Sequence, residues 1–195
     1  MNYNLNKVIL SKLGDVKEFD NKKYYRYNEI DFYFKGHDES DKLLVSFHAA
    51  NAGNAQNIKA PLPIFRGFNW EYNVLCISDK LIELYPELSL GWYLSPLESN
   101  IMDTYVEIIG LFLDTYKNVV FTGTSGGGFP SLLFSSYFKK KALIQNSQIY
   151  LENYYSKLND ILHALSIKQT DLSITNGEDI VVKYGNPFMV FIYIL

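Results

Sequence analysis

The sequence predicts an α/β fold, a three-layer, doubly wound and mostly parallel sheet. Three observations carry this. Short apolar runs of strand length recur along the chain: Leu43–Phe47, Val74–Ile77, Val119–Thr122 and Ala142–Gln145. Helix-period segments alternate with them, most clearly Ile101–Tyr116, whose apolar positions are 101, 105, 108, 109, 112 and 116. The runs lack polar alternation, as strands buried on both faces do, and parallel strands covered by helices are buried in this way.

Taken in order, residues 1–23 are polar and weakly patterned, and an irregular or partly helical lead-in is expected. Tyr24–Tyr27 and Ile30–Phe34 read as two early strands, a hairpin about Asn28-Glu29. Lys35–Lys42 is a surface loop with a solvated His37. After the buried strand Leu43–Phe47 comes His48-Ala49-Ala50-Asn51-Ala52-Gly53, and the strand Val74–Ile77 ends at Ser78-Asp79. Asn100 is the expected cap of the Ile101–Tyr116 helix. Val119–Thr122 is followed by a glycine-rich turn and an apolar helix to Phe138, with Pro130 at the limit of its first turn. Ala142–Gln145 is a strand and Tyr150–Leu165 a helix with Leu151, Tyr155, Leu158, Leu162 and Leu165 on one face. Leu172–Thr175 and Ile180–Val182 flank Asn176-Gly177, which reads as a hairpin or lid turn. Pro187–Leu195 is a last buried strand.

At 195 residues the chain has the length of one domain, 1–195, with enough chain to bury a core. An apolar fraction of 48% and a charged fraction of 20% are those of a globular protein rather than a disordered one. A net charge of −3 and the lack of a basic patch argue against nucleic acid as a partner. No segment has the length of a signal peptide core or a transmembrane helix, so a cytoplasmic protein is expected. The single Cys76 excludes an internal disulfide, and its apolar run marks it as a buried structural thiol. Three scattered His and one Cys give no metal-ligand spacing, so no metal is expected.

The chemistry concentrates in Gly123-Thr124-Ser125-Gly126-Gly127, a G-x-S-x-G string between a strand and a helix. A nucleophile on such a turn needs neighbours two residues before and after it that are almost free of side chain, so that its hydroxyl projects above the sheet. Ser125 is the expected nucleophile. An acyl-transfer serine also needs oxyanion donors and a base. Gly126 and the small residues Ala49 or Ala50 are the expected backbone donors. The base is harder to place. His163 follows Ser125 but lies within a predicted helix, three residues after Asp160, where such a pair is ordinarily solvated. His48 and Asp79 end strands near that of Ser125 and are candidate supporting residues. Trp92 and Tyr93 are candidates for a sugar-stacking wall, with packing the commoner role of aromatics in such a loop.

The strings SFHAANAG, ISDKLIELYPELSLGWYL, VVFTGTSGGGFPSLL and QNSQIYLENYY resemble an α/β-hydrolase-like family of bacterial surface-polysaccharide loci, whose relatives include serine-triad polysaccharide O-acetyltransferases. The resemblance runs from about Leu43 to Tyr155. It implies an α/β-hydrolase-like fold, Ser125 as nucleophile, and Gly126 with Ala49–Ala50 as the oxyanion hole. It implies a small-molecule or saccharide substrate, no cofactor, and an acyl donor such as acetyl-CoA entering as a substrate. Such relatives carry an Asp and a His beyond the final strand, so the expectation is a single incomplete domain that lacks its C-terminal part. Acetyltransferase and esterase remain alternatives, and the oligomeric state is open.

Two other classes compete. A phosphate or nucleotide site is disfavoured, because Gly123–Gly128 lacks the Lys-Ser/Thr of a P-loop and the G-x-G-x-x-G spacing. A non-catalytic protein with an α/β-hydrolase core is the main alternative, since triad chemistry depends on every member.

Overall fold

The structure is a computed structural model that describes residues 7–13, 23–50, 71–172, 177–185 and 189–192. Its centre is an eight-stranded sheet: β1 (Lys7–Leu10), β2 (Lys23–Tyr27), β3 (Ile30–Lys35), β4 (Lys42–Phe47), β5 (Asn73–Ile77), β6 (Asn118–Thr124), β7 (Lys141–Gln145) and β8 (Met189–Ile192). The spatial order is β1-β2-β3-β5-β4-β6-β7-β8. The pairs on either side of β3 are antiparallel, and the rest are parallel. Among the described residues five α-helices accompany it: α1 (Lys80–Leu84), α2 (Ile101–Leu113), α3 (Gly128–Tyr137), α4 (Tyr155–Leu165) and α5 (Gly177–Tyr184).

One sheet face holds the aromatic core. Register places Phe32 beside Ile77, Phe34 beside Leu75, Val45 beside Phe121 and Phe47 beside Gly123, so these side chains share a face. Helix α2 lays its apolar stripe on the early part of that face, with Phe112 against Phe32 and Phe34 at centroid distances of 6.1 and 5.1 Å. Helix α3 covers the middle, with Phe134 stacked on Phe47 at 5.4 Å. Residues Gly128–Ser136 of α3 are all buried, which explains why the segment reads as apolar throughout rather than as a stripe.

The chain leaves β4 for β5 on one side, then returns past β4 to β6 and β7 on the other. This reversal makes the C-terminal ends of β4 and β6 a topological switch point. Open α/β sheets form their ligand crevice at such a point.

Three expectations need correction. The lead-in contains β1, parallel to β2, because Val8–Leu10 gain a neighbour to pair with that local pattern does not reveal. Ile180–Val182 is not a strand but part of α5. In a strand Ile180 and Val182 would share a face, yet they are 0% and 87% exposed. Ile180 and Tyr184, one turn apart, are the residues that turn inward, and Tyr184 meets Tyr137 of α3 at 5.3 Å. Asn100 is the N-cap residue of α2 as expected, its carbonyl accepting the Thr104 N–H at 3.0 Å, while its side chain makes no capping bond. His37 is half-buried, not solvated, with its Nδ1 enclosed. The strand expected at Pro187–Leu195 is present as β8, paired in parallel with β7. Leu172 bridges Pro96, while 173–176, with Asn176, lie outside the described residues.

Candidate active site at the β4–β6 switch point

Ser125 sits where β6 ends and a single 3-10 turn, Ser125–Gly127, runs into α3. Its φ is +51°, in the left-handed region that side-chain-bearing residues rarely occupy. The flanking glycines are required by close approach. A Cβ on Gly123 would fall on the Gly127 carbonyl and the Ser131 hydroxyl, and one on Gly127 would fall on the carbonyls of Phe47 and His48. The turn is therefore folded back on itself and pressed against the end of β4. Side chains at positions 123 and 127 would hold it open.

The Ser125 carbonyl accepts two N–H groups, from Gly128 within the turn and from Gln148 at 3.0 Å. Gln148 belongs to the segment after β7, where Asn146 also takes a positive φ of 43°. Gly126 lies in the first turn of the helical segment, where N–H groups have no helical carbonyl behind them. Ala49 and Ala50 follow β4 and His48, half-buried and exposed respectively. The remainder of that loop, Asn51-Ala52-Gly53, lies outside the described residues.

His48 and Asp79 are brought together, but through the Asp79 main-chain N–H and not its carboxylate, and neither side chain is hydrogen-bonded to Ser125. The His48 Nδ1–H donates to the Ala49 carbonyl at 2.8 Å, and Nε2 accepts the Asp79 N–H at 3.3 Å. The His48 N–H donates to the Tyr93 hydroxyl at 3.2 Å, and that hydroxyl donates to the Ile77 carbonyl at 2.7 Å. Both ring nitrogens are thus occupied by main chain.

Asp79 caps α1 and also organises a loop. Its Oδ1 accepts the Leu81 N–H at 3.1 Å, and its Oδ2 accepts those of Gly91 and Tyr93 at 2.8 and 3.2 Å. It is fully buried. Burial pushes its carboxyl up from the ordinary value, opposed by His48 and by the N–H groups of Tyr93, Gly91 and Leu81. Beside it, Lys80 is buried and reaches the Glu29 carbonyl at 2.9 Å, while Arg26 joins Asp31 at 2.6 Å and Glu83 at 2.7 Å. These ties fasten the β2–β3 turn to α1 and so to the Asp79 loop.

Trp92 and Tyr93 do not form a stacking wall. Both are 0% exposed and both have positive φ, +51° and +58°. The Tyr93 ring packs edge-on to Phe47 at 5.0 Å. The Trp92 indole N–H donates to Gln148 Oε1 at 3.0 Å, and its ring faces Tyr154 at 6.3 Å. The two side chains face inward because Asp79 fixes the main chain on either side of Trp92.

The other imidazoles are elsewhere. The His37 N–H donates to Asn73 Oδ1 at the start of β5, the opposite end of the sheet from Ser125. His163 is exposed in the last turn of α4. Among the described residues no imidazole is hydrogen-bonded to the Ser125 hydroxyl, and no cluster of three His, Cys, Asp or Glu side chains could hold a metal ion. Gln148 is the residue that sequence reading missed. The available signal was its place just past β7, the strand next to β6 on the crevice side.

Comparison with known proteins finds no matching family model and no matching curated protein. Among solved structures, the chain is similar to the capsule O-acetyltransferase of Neisseria meningitidis serogroup A, with a TM-score of 0.53 and 22% identity over 91% of this chain and 71% of that one. The same enzyme in complex with caged gadolinium gives a TM-score of 0.50 and 21% identity over 91% and 70%. Est1E from Butyrivibrio proteoclasticus gives 0.49 and 12% over 89% and 77%. At these identities the likeness is one of fold. The chain has a mostly parallel, α/β-hydrolase-like fold, with Ser125 at its switch point.

Proposed function

We propose that this protein performs serine-dependent acyl transfer or ester hydrolysis through an acyl-enzyme on Ser125, with O-acetylation of a bacterial surface polysaccharide as the favoured reaction. The observation that carries the reading is the backbone of Ser125, at φ +51° between β6 and α3 with Gly123 and Gly127 packed too closely for any side chain. A left-handed serine there is a strained arrangement, and strain of this kind clusters at functional sites. The Ser125 hydroxyl attacks the acyl carbonyl, and the negative charge that develops on the carbonyl oxygen is met by the Gly126 N–H and one from Ala49 or Ala50. The tetrahedral intermediate collapses by breaking the bond from the acyl carbon to the donor, whose thiol or alcohol leaves with the serine proton relayed through solvent. The acyl group then passes to a saccharide hydroxyl or to water. The fold-level likeness to a capsule O-acetyltransferase supports a saccharide acceptor. An acyl donor such as acetyl-CoA, a cytoplasmic location and a single domain belong to the same reading. Among the described residues no helix is long and apolar enough to cross a membrane.

One observation favours a second reading, a non-catalytic α/β core: both nitrogens of His48, the imidazole at the end of β4, are held by main chain. Labelling the purified protein with a fluorophosphonate probe decides between them. The expected result is a single adduct on Ser125 that Ser125→Ala abolishes. A folded protein that takes up no label selects the non-catalytic reading.

A further inference from the structure

We infer that Gln148 and Trp92 are positioning residues that aim the Gly126 N–H, an inference that rests on Ser125 being the nucleophile. The Gln148 N–H donates to the Ser125 carbonyl at 3.0 Å. That carbonyl belongs to the same planar trans peptide as the Gly126 N–H, so the two point in opposite directions and move together. Holding the carbonyl from behind therefore fixes the direction of the N–H in front. A carbonyl that accepts hydrogen bonds also polarises its peptide, which strengthens the donor on the other side.

What holds Gln148 is Trp92. The indole N–H donates to Gln148 Oε1 at 3.0 Å, and the indole is itself 0% exposed. Asp79 fixes the main chain on both sides of Trp92 through the N–H groups of Gly91 and Tyr93. The same loop touches Gly126 directly, since a Cβ there would lie 2.6 Å from Leu90 Cδ2. On the Gln148 side, the Ser147 hydroxyl packs against the Cα of Gly128, the other end of the same turn. The connection from the buried carboxylate of Asp79 to the Gly126 peptide is thus continuous: loop 91–93, indole, amide, carbonyl. Left-handed backbone at Trp92, Tyr93, Asn146 and Ser125 marks each bend of this path.

Trp92→Phe and Gln148→Met test it, because each removes the side-chain bond and keeps the Gln148 N–H. Gln148→Met also nearly keeps the side-chain volume, and so separates loss of the bond from the space that Trp92→Phe leaves in the core. With p-nitrophenyl acetate, each variant is expected to lower kcat about tenfold with KM unchanged, since misaiming one oxyanion donor costs part of its effect. Inhibition by a trifluoromethyl ketone, which forms a tetrahedral oxyanion adduct, should weaken by the same factor, and the pH profile should stay in place. The Gly126 amide resonance should shift in both variants, a readout that needs no turnover. Variants that keep kcat and ketone affinity while the wild type turns over through Ser125 overturn the positioning role and leave Ser125 standing. An unmoved Gly126 resonance overturns it as well. Absence of Ser125 labelling in the wild type removes both readings.

Discussion

The main-chain N–H of Asp79 donates to Nε2 of His48 across 3.3 Å, while the carboxylate of Asp79 turns the other way to collect three N–H groups. The pair is built as a clamp between the end of β4 and the loop that carries Trp92. The proton on the imidazole lies on Nδ1, toward the Ala49 carbonyl, and Nε2 has no lone pair left to offer a substrate.

Asp79→Ala should cost about 3–5 kcal/mol in unfolding free energy, because three buried N–H groups lose their acceptor at once. Asp79→Asn keeps one acceptor oxygen and gives a volume-matched reference. Burial raises the folded-state value of Asp79 above its unfolded value near 3.8, so the unfolded chain releases the proton first. The stability of the wild type relative to Asp79→Asn should therefore be greatest in acid and fall as pH rises from about 4 through the folded-state value. Denaturant titrations of both proteins between pH 4 and 8 measure this. A difference that grows with pH would mean that His48 and the three N–H groups outweigh burial.

Ser125→Gly should stabilise the fold. A left-handed residue other than glycine costs about 1–2 kcal/mol, and glycine returns about 0.5–1 kcal/mol of that as unfolded-chain entropy. A net gain of about 0.5–1 kcal/mol is expected for Ser125→Gly, with Ser125→Ala close to wild type, since alanine meets the same backbone strain. Equal denaturation midpoints for the glycine and alanine variants would contradict a strained Ser125.

Cys76 should be inert in the native protein. It lies in β5 with every residue of that strand buried, and burial alone pushes its thiol up to about 12. With a thiol reagent such as DTNB at pH 8, no reaction is expected over the time in which the denatured chain gives one full equivalent. Rapid native labelling would place Cys76 in an accessible state.

Legibility in the sequence followed locality. The strands β4 to β7 and the helices α2 and α3 announce themselves because each is a continuous apolar run or an unbroken 3.6-residue stripe. Residues Ile180–Val182 misled because three apolar residues beside Asn176-Gly177 fit a hairpin as well as a helix, and only packing of Ile180 and Tyr184 toward α3 selects the helix. For Trp92 the sequence leaves a stacking wall and core packing both open, because Gly91-Trp92-Tyr93 has the composition of a loop. Its burial follows from Asp79, twelve residues earlier in the chain than the nearer of its two loop donors.

By itself the sequence determined the mostly parallel α/β sheet and the turn at Ser125, since strand length, helix period and the two glycines are properties of neighbouring residues. The tertiary structure decided what surrounds that turn. Gly127 meets Phe47 and His48, Gln148 meets the Ser125 carbonyl, and Trp92 meets Gln148 only after β4, β6 and β7 have paired in register. A hydrogen bond between residues 23 or 56 positions apart has no local pattern. Its partners are chosen by the pairing of the strands, and that pairing packs the end of β4, the loop at Trp92 and the segment after β7 around the glycine-rich turn.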